Sequence, residues 1–183
     1  MSTKLIYTTD IGITASSEES KWQQLVDQGK IYNTNYLIEF GTYLGHGCNY
    51  FAPNFDEVLS VEPVLHYYNL AVPYNSKNNN VTIVNEKSMT VLENLDIKNL
   101  LNKKVLFYLD GHAQLPHTDG AENSLEKEVK YIFNNLSNLD FILVIDDFRC
   151  WDQWCNKPEL ITFLESVCDY LVHDTDVIIA VPS

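Results

Sequence analysis

No run of apolar residues in the chain approaches the ~20 needed to cross a bilayer, and the opening segment from Met1 to Asp10 lacks the apolar core of a secretion signal. The expectation is a cytoplasmic protein that makes no membrane contact. Basic residues are scarce: 12 Lys+Arg against 25 Asp+Glu leave a net charge of -13, with no basic stripe. A surface of that sign repels a phosphate backbone, so nucleic acid is not an expected partner. The four cysteines, Cys48, Cys150, Cys155 and Cys168, form no Cys-x-x-Cys pair. A chain of 183 residues buries enough surface to fold without disulfides or a structural metal, so these cysteines read as reduced packing residues. Glycine is sparse as well, at 7 residues, yet positions 41, 45 and 47 fall together in Glu-Phe-Gly-Thr-Tyr-Leu-Gly-His-Gly. That spacing matches neither the Gly-x-Gly-x-x-Gly dinucleotide fingerprint nor the Gly-Lys-Ser/Thr ending of a P-loop.

What is present is a regular alternation of elements. A capping box at Ser16 and Glu19 predicts a helix with Trp22, Leu25 and Val26 on one face, ended by Gly29. Near-continuous apolar runs predict strands at Leu37–Phe40, Val58–Val61, Val81–Val84, Val105–Leu109 and Phe141–Ile145, and residues 1 to 15 show no clear period. Helices are expected around Cys48 to Ala52, for a turn or two from His66, from Met89 to Leu101, after Asn123 or Ser124, and from Pro158. Tyr170 to His173 and Val177 to Val181 read as a closing hairpin. Apolar strands alternating with helices imply an α/β, Rossmann-like, doubly wound and mostly parallel sheet, made mixed by the terminal hairpin. The expected organisation is a single domain over 1–183, with an N-terminal extension and helix over 1–35 and a core over 36–183.

Acids recur at the carboxyl ends of the strands: Glu39, Glu62, Asp110, and the pair Asp146 and Asp147. In an open parallel sheet these ends share the edge at which ligands bind. Glu62 follows the glycine turn by about twenty residues, the interval at which an acid accepts the ribose hydroxyls of a nucleoside. Glu39 is expected either to support the backbone of the turn or to meet a cofactor amine. Asp110, Asp146 and Asp147 offer hard oxygen ligands suited to Mg²⁺, or to Mn²⁺ or Ca²⁺, although an aspartate at a strand end also serves as a helix cap. The loop from Ala113 to Gly120 reads as a lid or substrate wall, and Trp151 and Trp154 as further walls or as plain packing.

With Glu-Phe-Gly-Thr-Tyr-Leu-Gly, Ser-Val-Glu-Pro, Phe-Tyr-Leu-Asp-Gly-His and Val-Ile-Asp-Asp-Phe-Arg in this order, the chain resembles a class I S-adenosylmethionine-dependent methyltransferase from about Tyr36 to Pro182. The acid after the fourth strand and the acidic pair after the fifth are similar to the metal-dependent O-methyltransferases of the catechol and macrocin type. The resemblance implies a seven-stranded sheet with the last strand antiparallel. It implies cofactor contacts from Glu39, Gly41, Thr42, Gly45, Glu62 and Asp110, with Glu62 on the ribose diol. It also implies an adenine end near Glu86, Lys87 and Ser88, and a metal on Asp110, Asp146 and Asp147. Two positions depart from the pattern: Lys87 stands where the family has an acid toward the adenine amine, with Glu86 as its substitute, and Ala113 stands where catechol-type enzymes carry a basic lysine. His112, beside Asp110, becomes the candidate base.

The reading is methyl transfer from S-adenosylmethionine to a hydroxyl of a small molecule or sugar, with a vicinal diol as the natural chelating acceptor. The alternatives are a module that holds the cofactor or a nucleoside without turning it over, and a nucleotide-sugar enzyme on a similar sheet. A homodimer is left open.

Overall fold

A computed structural model of the protein describes residues 4–7, 18–111, 124–174 and 176–183. The strands are β1 (Lys4–Tyr7), β2 (Tyr36–Phe40), β3 (Glu57–Val61), β4 (Val81–Val84), β5 (Lys104–Leu109), β6 (Asp140–Ile145), β7 (Cys168–Asp174) and β8 (Val177–Pro182). They form one sheet in the order β1-β7-β8-β6-β5-β2-β3-β4. Neighbours are parallel except that β8 runs antiparallel to both β6 and β7. The seven strands expected from the sequence are therefore present, and β1 adds an eighth by pairing in parallel with β7. Four residues are too few to display a period, which is why the sequence gives no sign of β1.

Successive side chains alternate between the two faces of a strand, and here both faces are covered. Ile38, Phe40, Phe107, Leu109 and Leu143 pack on one face against α4 (Ser88–Glu93), α5 (Ile97–Leu100), α6 (Ser124–Asn135) and α8 (Lys157–Val167). Leu37, Val58, Leu106, Tyr108 and Val144 pack on the other against α1 (Glu18–Tyr32) and α2 (His46–Phe51). Among the described residues the other helices are α3 (Leu65–Tyr74), between β3 and β4, and α7 (Trp151–Trp154), which follows a 3₁₀ turn over Phe148–Cys150. None of the helices among the described residues is long and apolar enough to cross a membrane.

Two local expectations change. The helix expected from Met89 to Leu101 is two helices, because Asn94 folds its side chain back onto the Thr90 carbonyl at 2.8 Å and Asp96 then caps α5 through the Asn99 N–H. Side chains of this kind compete with the helical ladder for backbone partners. Gly29, expected to end α1, lies inside it: a Cβ there would stand 3.0 Å from Thr34 Oγ1 and 3.1 Å from the Phe55 ring. The glycine serves close packing rather than termination. Gly29→Val, which drives a branched side chain into that ring, is expected to lower the unfolding free energy by about 2 kcal/mol in urea titration.

Candidate functional site

The turn after β2 is held in one shape by contacts that only glycine permits. Gly41 has φ +113, and a Cβ on it would come within 2.7 to 2.8 Å of the Asp110 carbonyl and the Gly111 nitrogen. The turn therefore lies flat across the end of β5. Gly45, at φ +81, is pressed on Ala71 and its carbonyl accepts from Asn75 Nδ2 at 2.9 Å. Beneath the turn, Ser60 Oγ donates to Glu39 Oε2 at 2.5 Å and Cys48 Sγ donates to the same oxygen at 3.0 Å. The Thr42 hydroxyl meets Ser60 Oγ at 2.6 Å. Burial pushes the Glu39 carboxyl up to about 7, against the pull of the Ser60 and Cys48 hydrogen bonds. Both of these hydrogen bonds tie Glu39 to the elements on either side of the turn, β3 and α2. Thr42 and Gly45 also shape the turn, the Thr42 carbonyl accepting the Gly45 N–H at 2.8 Å.

In front of the turn, at the carboxyl ends of the strands, is a cleft of about 420 Å³. Gly41, Glu62, Asp110, Gly111, Asp146 and Asp147 line it, and so do Lys21, Tyr43, Tyr67, Tyr108 and Arg149. The Glu62 carboxylate is clamped by the backbone N–H groups of Tyr43 and Val64, each at 2.8 Å. Burial raises its pKa, opposed by those two donors. Asp110 is held well above the usual carboxylate range, first by burial and then by the charges of Asp146 and Asp147. Tyr108 Oη donates to Asp146 Oδ2 at 2.7 Å and lies 3.1 Å from Asp110 Oδ2. One phenol carries one proton, so Tyr108 serves one of the two carboxylates at a time.

The acidic pair meets a cation from outside the strand ends. Lys21, on α1, places Nζ 2.6 Å from Asp146, 3.0 Å from Asp147 and 3.8 Å from Asp176. Burial disfavours its charge, but Asp146 and Asp147 outweigh burial and raise its pKa. Arg149 adds a second cation, 2.9 Å from Asp147 and paired with Asp176, whose other oxygen accepts the Arg149 N–H at 3.0 Å. Oxygens of Asp146, Asp147 and Asp176 lie within 4.8 Å of one another. That grouping has Asp176 where Asp110 was expected beside Asp146 and Asp147. The oxygens a metal would bind are engaged by Lys21, Arg149 and Tyr108, so a divalent cation does not fit the arrangement unless these side chains withdraw.

Other expected residues lie apart. Glu86 and Lys87 are exposed and Ser88 opens α4; Glu86 lines a separate groove of about 440 Å³. The chain leaves β4 through Asn85, whose Nδ2 donates to the carbonyls of Glu62 at 2.7 Å and Pro63 at 3.2 Å and so ties this segment to two residues that line the cleft. His112 and the Ala113 to Gly120 loop are outside the described residues. Trp151 is packing rather than a wall: it is fully buried, stacks edge-on against Phe148, and donates Nε1–H to the Asp146 carbonyl at 3.0 Å. Sequence reasoning missed Lys21, Tyr108 and Asp176. Asp176 was hidden as a hairpin-turn residue and Tyr108 as a strand residue, whereas Lys21 carried a faint signal, as a cation four residues before Leu25 on the predicted buried face.

No family model matches the chain, and no curated protein does. Among solved structures it is similar to an O-methyltransferase from Bacillus cereus in complex with SAH, with TM-score 0.64 and 14% identity over 93% of this chain and 84% of that one. It is also similar to the O-methyltransferase TomG from Streptomyces achromogenes in complex with SAM, with TM-score 0.67 and 11% identity over 94% and 83% of the two chains. A third is the N-methyltransferase NodS from Bradyrhizobium japonicum, with TM-score 0.55 and 14% identity over 91% and 97%. The chain thus has the Rossmann-like methyltransferase fold.

Proposed function

We propose that a chain with this fold and cleft is an S-adenosylmethionine-dependent methyltransferase acting on a hydroxyl of a small molecule or sugar. The observation that carries the reading is the pairing of the Gly41 turn, packed on the end of β5 too closely for a Cβ and lining the cleft, with the clamped carboxylate of Glu62 in the same cleft. Glu62 is fixed with its edge toward the cleft and suits the two hydroxyls of a ribose. The remaining wall is acidic and suits the positive charge of a sulfonium and an amino group. The cofactor supplies an activated methyl on that sulfonium. The acceptor oxygen uses a lone pair to form the new O–C bond as the C–S bond breaks with its electrons left on sulfur, and the hydroxyl proton passes to a base, for which His112 is the candidate. What the protein contributes is in-line placement of the oxygen and relief of its proton.

A second reading adds a divalent metal to the same reaction. It is favoured by the approach of Asp146, Asp147 and Asp176, and it requires Lys21 to leave them.

The test is calorimetric titration of S-adenosylmethionine into the wild type and Glu62→Ala. Saturable binding is expected, with the variant weaker by about tenfold to a hundredfold, the effect of losing a charged acceptor from a ribose diol. Absence of saturable binding by the folded wild type at millimolar ligand would overturn the reading.

A further inference from the structure

Lys21 is out of place for a surface helix. Its neighbours one turn on, Leu25 and Val26, are buried against the sheet, and the same face of α1 carries Lys21 over the sheet edge, where only 9% of the side chain remains exposed. The ammonium is a compact charge with three donors on a flexible stem. Two donors are used by Asp146 and Asp147, and Asp176 at 3.8 Å is too far for a third hydrogen bond. Lys21 also lines the cleft, so its remaining N–H is available there.

Resting on the methyltransferase reading above, we infer that Lys21 is a positioning residue that stands where a divalent cation would stand, its ammonium holding Asp146 and Asp147 at the wall of the cleft. The charges agree with this placement. Lys21 and Arg149 offset two of the three charges of Asp146, Asp147 and Asp176, and a divalent ion among the same oxygens would sit against two cations at contact distance, where like charges repel strongly. The acidic edge that resembles a metal centre in sequence is, in three dimensions, a centre already supplied with its cation.

The experiment follows Mn²⁺ binding by the electron paramagnetic resonance of the free ion, with no turnover involved. Wild type, Asp146→Asn, Lys21→Met, Lys21→Arg and Lys21→Met/Asp146→Asn are titrated, and a melting curve for each confirms folding. Wild type and Lys21→Arg are expected to show no saturable site. Lys21→Met should gain one at least about tenfold tighter than any residual wild-type binding, and the double variant should lose it. Saturable Mn²⁺ binding by the wild type that disappears in Asp146→Asn overturns the inference, and so does a folded Lys21→Met that gains no site. The wild-type arm decides the matter even if Lys21→Met does not fold. Loss of S-adenosylmethionine binding in the separate calorimetric titration would strike the methyltransferase reading without touching the Mn²⁺ result.

Discussion

Gly41→Ala is expected to lower the unfolding free energy by about 4 kcal/mol and to remove saturable S-adenosylmethionine binding. Two costs combine in that figure: about 1–3 kcal/mol for an L side chain held in a sparsely populated region of positive φ, and a similar amount for overpacking. Neither is readily relieved. The φ of +113 is set by the Gly41 N–H donating to the Val61 carbonyl at 3.0 Å, and the atoms a Cβ would meet at 2.7 to 2.8 Å are backbone atoms of Asp110 and Gly111. A flexible side chain could swing aside, whereas two strand ends must separate. Gly111→Ala is the matched control, because its Cβ would meet the Phe40 carbonyl oxygen at 3.2 Å without a positive φ, and its loss should be clearly smaller. Urea titration of both variants, with the calorimetric titration beside it, makes the comparison. Equal losses would show that the turn is not held as described.

Stability should fall as pH rises from about 5 to about 8, and Glu39 should account for about 3 kcal/mol of the change. The sign follows from proton counting. An acid whose pKa is higher in the folded state holds more protons there, so folding is favoured at low pH and the advantage is lost as pH passes through the folded-state value. For Glu39 the interval runs from 4.5 to about 7, with burial as the main cause. Glu62 and Asp110 are also raised, so they act in the same direction. Glu39→Gln keeps an acceptor for Ser60 and Cys48 while removing the titration, and should flatten the profile across that interval. A wild-type profile that is already flat, or one that the substitution leaves unchanged, would show that Glu39 is not held up by burial.

The parts of the fold that could be read from sequence are those set by local pattern. Mostly apolar runs located β2 to β6 to within a residue, because a strand covered on both faces admits a polar side chain only where it finds a partner, as Glu39 and Ser60 find each other. The terminal hairpin and the acids at the strand ends followed from the same runs. What could not be read depends on contacts between distant segments. Lys21 and Asp146 are 125 residues apart and nothing local in either announces the other. Glu39 and Asp110 both end strands, yet one faces down into Ser60 and the other faces Tyr108. A side chain's direction at a strand end is decided by the turn that follows, and composition alone does not fix it. The surroundings of Glu86 were hidden in the same way: Asn85, one residue before it, binds the carbonyls of Glu62 and Pro63, more than twenty residues earlier.

The strand order also governs how the molecule comes together in time. The central pairing joins Tyr36 to Val105, and the edge pairing joins Lys4 to Tyr170, so each closes a long stretch of chain whose entropy is lost before the contact forms. Parallel neighbours cannot start as hairpins; β7 with β8 is the local exception. The cleft draws its walls from α1 and from the ends of β2, β3, β5 and β6, elements that meet only through such closures. During refolding, helical signal should return first and ligand binding later, as the last of these segments docks, so that a newly made chain is structured before it is competent.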